Sequence, residues 1–333
     1  MEAAPSVAAA FPELDAAPAR DLEQHLLAAA RGIGSPGAAV TSVRRGPLDA
    51  TWYRTEVVTL ELDDGSTARF FLKDFGSYER AKSRMEARRE RERHFYKHVF
   101  PAGELGLPRY VADVWDGVTW LVLEMVDGVP LSWCEMDVWR AAAAWLGTFQ
   151  SAVAGRVEAL KASGRFADHR PAYFEAIATR AVEGAGAYDH ALADRVEAIL
   201  PRYEERAAIL MRQPRTLVHG GFRPAQVLVD AARDPVRICP TDWEIAAIGS
   251  CLYDLAPLAD GFEDQALEGF LDAYAREATW LPPAARSRSE LEAALAACRM
   301  HRTMKWIAHG HARGMPAAGV RELVDSLATE GPG

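Results

Sequence analysis

Cysteine is scarce in this chain. Cys134, Cys239, Cys251 and Cys298 stand far apart, with no paired spacing for zinc and no dense disulfide framework, so reduced thiols are expected. Long apolar runs are missing too: the longest candidate, Ala141–Phe149, falls well short of the roughly 20 residues that span a bilayer and reads as part of a packed helix. The first twenty residues carry Glu2 where a signal peptide would be basic, and their apolar run Val7–Phe11 is too short for a secretory core. A soluble, cytoplasmic protein that does not engage membrane is the expectation. No basic stripe with interleaved aromatics stands out, and Asp plus Glu outnumber Lys plus Arg by 47 to 38, a net charge of −9. That balance argues against nucleic acid as the main partner.

What is present is ample hydrophobic material, 49% of 333 residues, enough for one large core or two moderate ones. Residues 1–20, rich in Ala and Pro, read as a loose leader, and Asp21–Arg31 as a first helix closed by Gly32 and Gly34. Glu56–Leu62 and Ala68–Phe75 are β-prone runs separated by the turn signal Asp63-Asp64-Gly65-Ser66, which predicts an antiparallel hairpin. Glu79–Val99 predicts a charged helix and Thr119–Val126 an apolar strand ending at Asp127-Gly128. Beyond Pro130 the spacing turns helical over Val138–Leu160, Ala191–Met211 (with Pro201 as a kink), Asp264–Ala278, Ser289–Gly310 and Val320–Ala328. Only short strands around Val227–Val229 and Arg237–Cys239 interrupt them.

Several side chains carry chemistry. Lys73 sits in Arg69-Phe70-Phe71-Leu72-Lys73-Asp74-Phe75, a strand apolar on both faces; a lysine there either snorkels to the edge or meets a negative partner. Helical phase selects that partner. Glu92 shares a stripe with Met85, Phe95, Tyr96 and Val99, whereas Glu90 shares its face with Arg93, His94 and Lys97. Pairing of Glu92 with Arg88 or Arg89 is the alternative. Between the first strands, Arg44–Thr55 contains the single glycine Gly46, too few for a loop whose backbone approaches phosphate at several points.

Further on come His219-Gly220-Gly221-Phe222-Arg223-Pro224-Ala225-Gln226-Val227-Leu228-Val229-Asp230 and Pro240-Thr241-Asp242-Trp243-Glu244. Together they resemble the catalytic loop and metal-binding strand of the aminoglycoside phosphotransferase and choline kinase-like superfamily. The pattern there is His-Gly-Asp, four residues, Asn, a short strand, then a hairpin to a strand ending in Asp. The resemblance implies an α+β, two-lobe protein kinase-like fold: a leader over 1–20, an N-lobe of small antiparallel β-sheet and helix over 21–126, and a larger, mainly helical C-lobe over 127–333. It implies ATP and Mg²⁺ as cofactors and a small-molecule acceptor. Lys73 and Glu92 would bind the phosphates, the backbone of Glu124 and Val126 the adenine, and Asp242 and Gln226 the metal. Arg223 would face the transferred phosphate, and Asp254 would brace the loop through its backbone.

Two positions depart from the pattern: Gly221 stands where the catalytic Asp is expected, and Gln226 where Asn is. Loss of the base costs about 10²–10⁴ in rate. Glu244, His219 or a carboxylate brought by the substrate are the candidate replacements, and Arg223, Asp242 and Glu244 form the candidate catalytic set. Gln226 carries an extra methylene that displaces its oxygen from the octahedral geometry magnesium demands. The acidic patch Asp260, Glu263, Asp264 and Glu268 hints at a cationic acceptor, although a solvated helix start explains it equally. Three functions stay open: a phosphotransferase with a missing or substituted base, a degenerate relative that binds nucleotide or ligand without turnover, and a different reaction on the same scaffold.

Overall fold

The computed structural model describes residues 7–33, 37–48, 53–77, 85–116 and 118–329. Residues 1–6 of the expected leader, Gly34, residues 49–52 of the expected phosphate-covering loop and residues 79–84 of the expected charged helix lie outside the described residues, as does the side chain of Asp264. The chain divides into two compact units, Met1–Val129 with Leu228–Glu244, and Pro130–Val227 with Ile245–Gly333. The strand hairpin after residue 227, expected within the helical part, thus groups with the first unit.

The first unit is built on a five-stranded antiparallel sheet: β1 (Val40–Leu48), β2 (Arg54–Leu62), β3 (Thr67–Asp74), β4 (Tyr110–Val114) and β5 (Trp120–Glu124), in the order β1-β2-β3-β5-β4. The β2–β3 hairpin is the predicted one. Gly65 supplies the positive φ of 82° at its turn, and Asp64 Oδ1 accepts from the Ser66 N–H at 2.9 Å. Alternation then sorts the side chains. Val58 and Leu60 of β2 and Ala68, Phe70 and Leu72 of β3 enter one core with Leu22, Leu26 and Ala30 of helix α1 (Ala16–Ala30). Lys73 has the opposite phase and faces away from that core.

The leader is a correction: its described part is not loose. Helix α1 starts at Ala16, five residues earlier than expected, and Val7 and Phe11 are each 1% exposed within the core. Arg45 ties this segment down. Its guanidinium bonds Glu13 at 2.9 Å, Glu56 at 2.7 Å and the Ala10 carbonyl at 2.9 Å, and lies 4.8 Å from the Phe11 ring centre. Alanine-rich composition concealed two large anchors that find partners only in the folded sheet. Helix α2 (Met85–His94) then runs on as a wider turn over Phe95–Val99.

In the second unit, helices α3 (Met136–Val153), α4 (Val157–Ala162), α5 (Pro171–Gly186), α6 (His190–Arg212), α7 (Leu255–Leu258), α8 (Asp264–Glu277), α9 (Arg288–Gly310) and α10 (Ala317–Thr329) surround a small sheet. In that sheet Ala247–Ser250 pairs antiparallel with Arg215–Val218 and parallel with Ala167–Asp168. The single helix expected over Val138–Leu160 is broken at Ala154–Arg156, which contains the poor helix former Gly155. Helix α5 was not anticipated, because its inward stripe of Phe174, Ile177, Ala181 and Ala185 is half alanine and carries weak periodicity. Helix α6 continues through Pro201. Gly147 sets the approach of α3 to α8: a Cβ there would lie 2.6 Å from the Tyr274 carbonyl oxygen. Deeper in, Gln150 donates to the Cys251 carbonyl at 2.8 Å and accepts from the Tyr274 hydroxyl at 2.6 Å, so this buried amide is satisfied.

Candidate functional site

In the first unit, Lys73 projects from β3 toward α2. Its Nζ is 2.7 Å from Glu92 Oε2 and 2.8 Å from Asp242 Oδ1, and only 7% of its side chain is exposed. The rings of Tyr53 and Phe75 lie 4.7 and 5.1 Å from the ammonium. Burial alone would drive the Lys73 proton off; the Glu92 and Asp242 carboxylates overcome it and hold the group protonated. Burial pushes Glu92 the other way, upward, against the pull of Lys73. Helical phase thus selected the residue that meets the lysine: Glu92 is 2% exposed, and Arg88 bonds Glu244 rather than Glu92.

Asp242 follows the strand Arg237–Pro240 with φ +69°, a left-handed conformation that Asp tolerates better than most residues. Trp243 anchors the turn, its indole N–H bonding the Pro240 carbonyl at 3.1 Å while its ring stacks on Phe95 at 3.7 Å. Glu244 accepts from the Tyr53 hydroxyl at 2.9 Å and from Arg88 at 3.2 Å, and its carbonyl accepts from Arg91 at 2.6 Å. Oxygen atoms of Glu92, Asp242 and Glu244 lie within 4.8 Å of one another. All three are hard oxygen donors of the kind magnesium prefers, and Asp242 is the best placed, with 31% of its side chain exposed. Glu124, at the end of β5, is held through its side chain: Arg237 bonds it at 2.8 Å and the Arg109 N–H at 3.1 Å. Burial raises its pKa, but these donors more than reverse the effect and keep it below the usual carboxylate range. Val126 follows it as a buried residue, 6% exposed.

In the second unit, the loop after Arg215–Val218 is braced as the resemblance implies. The buried Asp254 accepts from the His219 N–H at 2.5 Å and the Gly220 N–H at 2.9 Å. Burial pushes its carboxyl up to about 7 in spite of these two donors. His219 is 1% exposed, and its Nδ1 accepts from the Gly221 N–H at 3.2 Å. Gly220 has φ +81°, and a Cβ on it would strike the Ile245 carbonyl oxygen at 2.5 Å, so only glycine fits. At Gly221 a Cβ would stand 3.0 Å from Ile245 Cδ1 and 3.2 Å from Gln226 Oε1, both ends of flexible side chains.

Gly220, Gly221 and the exposed Arg223 line a cavity of about 110 Å³, together with Ile245, Tyr253 and Pro257. The last turns of α9 and the residues just after also line it, through Arg302, Lys305, Trp306, His309 and Arg313. Among the described residues no carboxylate lines it. Of the acidic patch expected to shape an acceptor pocket, Asp260 pairs with Arg302 at 3.3 Å from outside the wall and Glu268 lies 3.8 Å from Arg288; neither they nor Glu263 line the cavity. Sequence alone singled out neither the α9 residues nor Tyr53, and it offered Arg88 as an alternative partner of Glu92, not of Glu244. The spacing of the α9 residues, three, four, seven and eleven from Arg302, is a readable helical stripe, hidden by the overall acidity of the chain.

A buried lysine–glutamate pair beside an aspartate on a five-stranded sheet, with a braced His-Gly loop in a helical unit, defines a kinase-like phosphotransferase class. The model of the phosphotransferase enzyme family matches residues 47–291, and the chain belongs to that family. Among solved structures, apo macrolide 2'-phosphotransferase MphH from Brachybacterium faecium is 20% identical, with a TM-score of 0.57 over 94% of this chain and 100% of its own. The GDP and kanamycin complex of APH(2")-IIia is 15% identical, with a TM-score of 0.56 over 88% of this chain and 94% of its own. LicA in complex with AMP is 16% identical, with a TM-score of 0.52 over 92% and 97%. At these identities the likeness is one of fold. No curated protein matches in sequence.

Proposed function

We propose that this family member binds a magnesium-bound nucleoside triphosphate, ATP, and transfers phosphate to a small-molecule hydroxyl, slowly for want of a carboxylate at position 221. The observation that carries the reading is the Lys73 ammonium, buried and shared between Glu92 and Asp242. A cation held this way is oriented for phosphate oxygens, with Glu92 fixing its position. The backbone of Glu124 and Val126 would bond the adenine. Asp242 would hold the metal, with Glu244 close to it; bound there, Mg²⁺ would neutralise charge on the phosphate oxygens. Arg223 would supply charge to the transferred group. Nucleotide complexes of fold relatives, with GDP and with AMP, support the nucleotide half of the proposal.

Gly221 and Gln226 together favour a second reading, in which nucleotide is bound without turnover. The two readings share the Lys73 test. Magnesium-ATP should raise the melting temperature of the wild-type chain. Lys73→Met should abolish that shift and, by leaving Glu92 buried without its counter-charge, cost about 3–5 kcal/mol of stability in denaturant titration. An undiminished nucleotide shift in Lys73→Met would remove the basis of both.

A further inference from the structure

The cavity beside Gly221 has a chemistry of its own. Arg223, Arg302, Lys305 and Arg313 bring four permanent cations to its walls, with His309 as a fifth basic group, in a chain whose net charge is −9. Bringing like charges together costs Coulomb energy. The dipole at the C-terminal end of α9 favours cations near Gly310, but it does not account for Arg223, which comes from the loop after Val218. Trp306, Ile245, Pro257 and Tyr253 add apolar surface. Arg302 and Arg313 offer planar forks suited to two oxygens at once; the Arg313 guanidinium is stacked 4.9 Å over the Trp306 ring, and Lys305 bonds the Tyr253 hydroxyl. A cationic molecule entering this cavity would meet repulsion from the basic groups that line it. Resting on the phosphotransferase reading, we propose that the acceptor is a small hydroxylated anion, bearing a carboxylate or a phosphate, held by Arg302, Lys305 and Arg313 with its hydroxyl toward Gly221.

Calorimetric titration of the full chain with D-glycerate, glycerol 3-phosphate and ethanolamine tests this. At least one of the two anions should bind, and the tighter of them tells a carboxylate site from a phosphate site; ethanolamine should not bind. Arg302→Gln and Arg313→Gln should each weaken the anion about tenfold, as expected for loss of one charge-assisted contact, and Arg302→Lys should restore part of it. Failure of both anions to bind, equal binding of ethanolamine, or unchanged affinity in both glutamine variants would overturn the proposal. Absence of a magnesium-ATP shift in the wild type would instead sink the phosphotransferase reading, and the anion titration would still report on the cavity.

Discussion

In the phosphotransfer proposed for this chain, Gly221 is the residue that would limit turnover. Its Cα lies in a loop whose shape is kept: Asp254 holds the His219 and Gly220 amides, and His219 Nδ1 receives the Gly221 N–H. The Cβ of an Asp placed there would press on Ile245 Cδ1 and Gln226 Oε1, side-chain ends that can give by a few tenths of an ångström. Gly221→Asp should therefore fold. With magnesium-ATP and an acceptor found by titration, it should raise ADP release by about 10²-fold or more, the usual worth of a positioned base. A coupled ADP assay that finds no gain in the presence of a bound acceptor would count against the missing-base account. The residue scale was also where sequence reading was sharpest: phase alone separated Glu92 from Glu90, since a buried stripe and a solvated face differ by a rotation of the helix. Tyr53 and Arg88, the partners of Glu244, left no such mark, because a tyrosine or arginine in a polar stretch looks the same whether or not it has a carboxylate to meet.

At the scale of elements, hairpins and long amphipathic helices were legible while junctions were not. The β2–β3 hairpin is written in two alternating runs around Asp63-Asp64-Gly65-Ser66, and α6, α8, α9 and α10 in helical spacing. Helix α5 and the start of α1 escaped because alanine serves both packed and exposed faces. Helix contact depends on residues whose value is their smallness. Gly147→Ala would drive a methyl group to 2.6 Å from the Tyr274 carbonyl and 2.8 Å from the Ala278 nitrogen, backbone atoms that cannot rotate aside. The helix-propensity gain of alanine should be outweighed, with a net loss of about 1–3 kcal/mol from overpacking. Thermal unfolding of Gly147→Ala at or above the wild-type midpoint would refute this close packing of α3 on α8.

For the whole molecule, the decisive feature is a chain that passes from one unit to the other and back, so that Leu228–Glu244 belongs with the sheet while the loop before it belongs with the helices. Each unit has its own core. Phe11→Ala, at a position 1% exposed against the sheet, should cost about 3 kcal/mol. Hydrogen exchange should quicken in α1 and β1–β5 and stay unchanged in α3 and α8; equal loss of protection in both units would argue against separate cores. Among the described residues no helix is long and apolar enough to cross a membrane, in line with the lack of long apolar runs.

The amino-acid order by itself determined the local elements, the kinase-like class and the identity of the lysine, glutamate and aspartate that meet, because periodicity and motif spacing are properties of the chain read along its length. Tertiary structure alone decided that Val7 and Phe11 are core, that Glu244 is gripped by Tyr53 and Arg88, and that the cavity beside Gly221 is lined by cations and not by Asp260, Glu263 or Glu268. Those outcomes depend on which distant faces are brought within a few ångströms of one another, and net charge, averaged over 333 residues, carries no information about where four basic groups converge.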